Sequence, residues 1–306
     1  MQLPALLLKD WLPTKMTLHL FLQIAGKIKL TKMARKNHWW NITLFVNSKG
    51  ISTQTIANGT DTFEIQFNFI DHKLEIFSSA GQSLSFDLYD GLSVAEFYNR
   101  LIDNLRQLKI DVRIVDRPYS LPDEHPITTP FNQLTEYHSY DKEYISRYWK
   151  IMLWVNNVFT NFSGRFYGKT CPVHIYWHHM DVTVTRFSGK KWPLPEGMSI
   201  PNKDAYSHEV ISFGFWVGDD NVPAPAFYSY TYPSPEGLQK TPLHPSTASW
   251  QMSNGSPMAL LMYDDIRNEA DPDQLLLDFL ESAYAAGAKL AHWNVEDLAV
   301  SALDEL

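Results

Sequence analysis

The chain has 306 residues and a formal net charge of −8. A chain of this length removes roughly three quarters of its unfolded surface from water, so neither a disulfide nor a metal is needed to hold it folded. The acidic balance disfavours wholesale binding to nucleic acid or anionic lipid, and the single Cys171 excludes an internal disulfide framework and a cysteine-rich zinc module.

Ten Trp, fifteen Tyr and seventeen Phe supply a thick core, with aromatic surface left over for pockets or interfaces. No stretch approaches the ~20 apolar residues of a membrane span. The N-terminal apolar run lacks a basic flank and is closed by Pro13, so no secretory leader is read there and the expected location is the cytoplasm.

In chain order, the first predicted helix runs from about Thr14 to Met33, with Leu20, Phe21, Ile24 and Ile28 on one stripe. Strands follow over 41–46, 63–69, 73–77 and 83–88, the second alternating strictly apolar and polar, with a turn at Ser79-Ala-Gly-Gln82. Ser93-Val-Ala-Glu96 caps a second helix that carries Phe97, Leu101 and Leu105. A third begins near Asp141. Strands are then expected over 173–187, 209–217, 226–232 and 258–263, before a fourth helix with Asp271 as cap and Pro272 at its first position.

The order helix, strands, helix thus occurs twice. It predicts an α+β fold of two similar halves, each an antiparallel sheet flanked by helices, and suggests an internal duplication. The halves span 1–117 and 141–306, joined by a linker over 118–140 that holds Pro118, Pro122, Pro126 and Pro130. The second half has longer, Pro-studded connections. Since ordered long loops carry function, the site is expected there.

Several clusters carry candidate chemistry. In Cys171-Pro-Val-His-Ile-Tyr-Trp-His-His-Met-Asp181, an unbroken strand would put His179 and Asp181 on one face and His174, Tyr176 and His178 on the other. Such donors suit a divalent metal, although the spacing matches no recognised metal motif and half-buried packing histidines look the same. In Tyr206-Ser-His-Glu209, His208 would act as general base oriented by a carboxylate, with Tyr206 as proton donor. The alternative is that these residues satisfy backbone groups at a strand entrance.

The basic run Lys27, Lys29, Lys32, Arg35 and Lys36 reads as a solvated helix end. Lys169, Arg186, Lys190 and Lys191 form a looser group in which the guanidinium of Arg186 suits an anionic ligand. Tyr228, Tyr230 and Tyr232 share one strand face, as a stacking wall or as a packed sheet. No Walker loop, Gly-x-Gly-x-x-Gly, His-Glu-x-x-His or Gly-x-Ser-x-Gly is present.

Asn37-His-Trp-Trp40, Phe63-Glu-Ile-Gln-Phe67 with Asp71-His72, Pro172-Val-His174, Thr185-Arg-Phe-Ser-Gly189, Ala205-Tyr-Ser-His-Glu209 with Gly214-Phe-Trp216, and Pro225-Ala-Phe-Tyr228 with Tyr232-Pro233 occur in that order. Together they resemble a bacterial family known only as a domain of unknown function, over nearly the whole chain. The resemblance implies one family unit and brings no activity, cofactor or catalytic residue with it. Its pattern has small residues where this chain has His178 and His179, which argues against a shared metal site there. It includes His38, His174, Arg186, Tyr206, His208 and Glu209.

The leading expectation is a small-molecule-binding protein or enzyme with a cleft in the second half. His174, Tyr206, His208 and Glu209 are its candidate catalytic residues. His38, Lys169, Arg186 and Tyr228 are candidate contacts to a small polar or anionic ligand. No metal ligands are assigned, and no cofactor is specified. The alternatives are a homo-oligomerising or partner-binding module without catalysis and a metal-dependent hydrolase.

Overall fold

The computed structural model describes residues 3–119, 127–194 and 196–300. Helix α1 (Leu8–Lys32) is buried all round from Thr14 to Lys29, as a helix enclosed on every side must be. It starts six positions earlier than the sequence reading, because Pro13 sits inside the helix rather than before it. Strands β1 (Phe45–Asn47), β2 (Gly50–Ser52), β3 (Ile56–Asn58), β4 (Asp61–Asn68), β5 (Lys73–Ser78) and β6 (Ser83–Asp87) form one antiparallel sheet, ordered β1-β2-β4-β5-β6 with β3 also on β4. Helix α2 (Val94–Gln107) follows, capped by Ser93 Oγ, which accepts from the Glu96 amide.

Helix α3 (Lys142–Ser163) is capped by Asp141. The second sheet comprises β7 (His174–Tyr176), β8 (Asp181–Lys191), β9 (His208–Trp216), β10 (Ala226–Tyr232), β11 (Ser249–Ser253) and β12 (Ser256–Met262). Its order is β11-β12-β10-β9-β8-β7, antiparallel throughout. The short helix α4 (Ile200–Ala205) lies between β8 and β9; α5 (Tyr263–Ile266) and α6 (Pro272–Leu290) follow β12. The fold is therefore α+β with two separate six-stranded sheets, and Asp271 caps α6 as its sequence indicates.

Two expectations are corrected. The segment 173–187 is not one strand: residues 177–180 form a turn closed by the amides of His179 and Met180 on the Tyr176 carbonyl. It folds back so that His174 pairs with Thr183 and Tyr176 with Asp181. Directly paired residues project to the same face, so Tyr176 and Asp181 share a face while His178 and His179 belong to the turn. The basic end of α1 is also not uniformly solvated. Lys27 and Lys29 are buried, and Lys29 Nζ donates to the carbonyls of Thr43 (2.5 Å) and Thr53 (2.7 Å). Of the proline-rich 118–140 segment, 120–126, with Pro122 and Pro126, lies outside the described residues.

Leu44 and Ile175 exchange backbone hydrogen bonds of 2.9 and 2.7 Å, tying the two sheets together. Buried side chains of both halves form one continuous cluster. On the second sheet Ile211, Phe213 and Thr231 face the helices: Phe213 meets Phe162 of α3 at 4.7 Å between ring centres, and Gly287 of α6 leaves room for Ile211 and Thr231. By strand alternation, Asp181, Thr183, Thr185, Phe187, Val210, Ser212, Tyr228 and Tyr230 project to the opposite face, where α1 and the segment after it provide the wall.

Candidate functional site

Between that sheet face and the C-terminal part of α1 lies a cavity of about 520 Å³. Its floor is a grid set by strand register: Thr183 lies beside Gly214 and Tyr228, and Thr185 beside Ser212 and Tyr230. A stripe of small polar side chains thus runs up the middle. Thr185 Oγ1 and Ser212 Oγ are bonded at 3.0 Å. Tyr228 and Tyr230 stand beside the stripe with stacked rings, 6.3 Å apart and 10° from parallel.

The walls come from both halves. Lys27, Leu30 and the His38–Trp40 turn contribute from the first, and Trp177, His178 and α4 from the second. Trp177 lies flat on α1 at Gly26, where a Cβ would come within 2.2 Å of its ring. Three contacts clasp the turn to α4: Trp39 Nε1 donates to Pro201 O at 2.9 Å, His38 Nδ1 lies 3.2 Å from Ala205 O, and Arg35 pairs with Asp204. His38 and Trp39 are consecutive left-handed residues, at φ 57° and 61°. Non-glycine residues adopt that conformation at a cost, and such strain collects at binding sites.

One end of the cavity is basic. Lys169 Nζ lies 2.8 Å from His38 Nε2. An ammonium only donates, so Nε2 accepts and Nδ1–H donates to Ala205 O. Burial and then the Lys169 charge hold His38 below the usual histidine range. Lys169 sits over the Phe187 ring at 4.7 Å and is itself pushed down by burial. His208 meets His38 edge-on at 5.7 Å. Its pKa is lowered by burial and by Lys169 and Lys191.

The other end is acidic. Asp181 is 8% exposed. Its Oδ2 accepts from the Tyr228 hydroxyl at 2.6 Å, while its Oδ1 and the neighbouring Thr183 Oγ1 have no hydrogen-bond partner. Burial raises its pKa, opposed by His179 and by the Tyr228 hydroxyl.

Of the eight residues singled out from sequence, His38, Tyr206 and Tyr228 line this cavity, and Lys169 and His208 back it through His38. The remaining three are elsewhere. His174, paired with Thr183 on the edge strand β7, is buried and does not line the cavity, and its Nδ1 lies 2.7 Å from Pro172 O. Glu209 accepts from Ser188 on the opposite side of the sheet, because strand alternation turns it away from His208. It does not orient His208, whose Nδ1 lies 3.0 Å from Ser207 Oγ. Arg186, 1% exposed, also points to the helix side. There it donates to Phe162 O at 2.6 Å, lies 3.5 Å from Glu281, and stacks on Phe162 and Tyr284. It caps the C-terminal carbonyls of α3, where a cation is favoured.

Sequence reasoning missed Asp181 as a floor residue, together with Thr183, Ser212 and Tyr230. The alternation Asp181-Val-Thr-Val-Thr185 carried the signal: a polar face on a strand too central to be wet. Among the described residues, no group of three or more His, Cys, Asp or Glu side chains is arranged to hold a metal ion. Nor is any helix there long and apolar enough to cross a membrane.

Comparison with known proteins finds one family, described as a family of unknown function (DUF5996), matching residues 3–300. None of the curated proteins or solved structures compared matches the chain.

Proposed function

The chain belongs to DUF5996, a family of unknown function, and we propose that it binds a small organic molecule in the cavity between α1 and the second sheet. The observation that carries this reading is the cavity itself. Its volume of about 520 Å³ falls within the roughly 300–1,000 Å³ of small-molecule sites, and its largely aromatic lining with a few convergent polar groups is their usual chemistry. A void of that size costs packing energy unless something occupies it. Strained residues at its rim and an unpartnered carboxyl oxygen on its floor support the same reading.

At the basic end, His38 is held neutral between Lys169 and the Ala205 carbonyl, so it shapes and polarises the wall, and the Tyr206 hydroxyl on the α4 side is the group there that can hydrogen-bond a ligand. Binding is the activity in this reading.

The test is to fill the floor. Thr185→Phe projects a ring into the void from the middle of β8. Fragments that raise the melting temperature of the unmodified protein should then lose their effect, with the circular dichroism spectrum retained. Undiminished stabilisation by the same fragments would move the binding site elsewhere.

A further inference from the structure

We infer that the acidic end of the cavity is a subsite for the protonated amine of an organic ligand, with Asp181 as its counter-ion and Thr183 as its second hydrogen-bond partner. This rests on the cavity being a ligand site and names the chemistry that the site takes.

Among the described residues that line the cavity, Asp181 is the one carboxylate. Its Oδ2 is occupied by Tyr228, leaving Oδ1 enclosed and unpartnered, and Thr183 Oγ1, two residues along the same strand face, is equally unpartnered. A buried carboxylate with an open lone pair is costly alone, and its cost falls when a cation meets it. An ammonium carries three donors and a charge. It can satisfy Oδ1 and Oγ1 together while neutralising the acid. An alcohol can make the hydrogen bonds without cancelling the charge, and a carboxylate would be repelled.

The surroundings favour the same class. Tyr176 pairs across the hairpin with Asp181, and the Tyr228 ring lies 5.3 Å from Trp216. Electron-rich faces near an acid attract an organic cation. Charge placement gives the ligand a direction. The His38 ring packs at 4.6 Å on Phe187, which lies six residues along β8 from Asp181, roughly 20 Å of strand. The Lys169 ammonium sits at that far end against His38 and repels a cation from it, so the amine enters the Asp181 end.

Ionisable groups around the acid are Tyr228 from β10, Tyr148 from α3, Tyr176 from β7 and His179 from the turn. Burial raises the tyrosines, keeping them neutral near neutral pH, so among these groups Asp181 is the acid that the amine meets. Because burial also raises Asp181, an arriving ammonium favours its ionised form. Binding is then accompanied by proton release and strengthens as pH rises through the acid's elevated range.

The experiment uses three probes of matched shape, phenethylamine, phenethyl alcohol and 3-phenylpropionate, titrated calorimetrically into the whole protein and into Asp181→Asn and Thr183→Val. The inference expects the amine to bind at least ~10-fold tighter than the alcohol, with the propionate weakest. Asp181→Asn should abolish the preference, and Thr183→Val should reduce it. Alcohol or propionate binding as tight as the amine would overturn the amine subsite while leaving the cavity as a ligand site. If no probe binds and Thr185→Phe removes no fragment binding either, both readings fall. Should Asp181→Asn fail to fold, the ranking of the three probes on the unmodified protein decides alone.

Discussion

Tyr228 lies directly over Gly214: a Cβ at residue 214 would come within 2.2 Å of the phenol carbon Cζ. The absent side chain is what lets the Tyr228 hydroxyl reach Asp181 Oδ2 at 2.6 Å. Gly214→Ala should therefore destabilise the protein by about 1–3 kcal/mol through overpacking. It should also weaken phenethylamine binding by displacing the phenol. Urea denaturation and calorimetry check both. An alanine variant with wild-type stability and affinity would mean that the ring does not lie on residue 214.

Acid should destabilise the fold before most carboxylates titrate. His19 and His174 are buried as neutral rings, lowered from 6.5 to about 3 and about 4, chiefly by burial. A group whose folded pKa is depressed lets the unfolded chain bind more protons between the two values. Stability is then full above the unfolded pKa of 6.5 and is lost as pH falls toward the folded value. Each such histidine contributes a slope on the order of 1.4 kcal/mol per pH unit within that window. Urea midpoints measured across it should fall steadily, and His174→Leu should flatten the slope. A stability that stays level down to about pH 4.5 would contradict the buried neutral histidines.

Asp181 acts with the opposite sign. Its folded pKa is raised, so its contribution to stability is full below the unfolded range of about 4 and is lost as pH rises through the folded value. Asp181→Asn should make the ligand-free protein more stable at neutral pH while removing amine selectivity. That exchange of stability for binding separates a site residue from a structural one. Reduced stability of the variant at neutral pH would assign Asp181 a structural role.

Arg186 belongs to the core and not to the cavity. Arg186→Met leaves the Phe162 carbonyl uncapped and Glu281 without its buried partner, and should cost about 2–4 kcal/mol. Probe affinity should be unchanged, because the side chain lies behind the sheet. A loss of affinity with little change in stability would return Arg186 to the ligand-binding face.

Lys169 tunes His38. Removing the ammonium in Lys169→Met lifts one of the two main influences that hold His38 down, so its midpoint should move up toward the ordinary histidine value of 6.5. An NMR titration of the His38 ring protons reads this directly. An unchanged midpoint would show that the pair is not in contact in solution.

The elements were legible in the sequence where local chemistry decides them: Ser93 and Asp271 cap the helices they were expected to cap, and the third helix begins at Asp141 as expected. The alternation Phe63-Glu-Ile-Gln-Phe67 gave a strand of the first sheet. The turn at 177–180 was illegible because Trp177, His178, His179 and Met180 carry no turn chemistry. Met180 takes a left-handed φ of 60° without being glycine or asparagine, held there by the packing around it. The same limit applies to the site. His38, Tyr206 and Tyr228 could be named from residue type and position. Which face of a strand Glu209 and Arg186 occupy depends on which side the helices cover, and that is settled only by tertiary packing.

The most direct test of a ligand cavity between α1 and the second sheet is to map the indole N–H signals of the tryptophans by NMR as phenethylamine is added. The cavity predicts that Trp39, Trp40 and Trp177, which line it, shift together with saturation. Trp11, buried beside Tyr148, and Trp293, beside Tyr284, should stay fixed. Shifts confined to Trp11, Trp293 or other indoles outside the cavity would contradict the account.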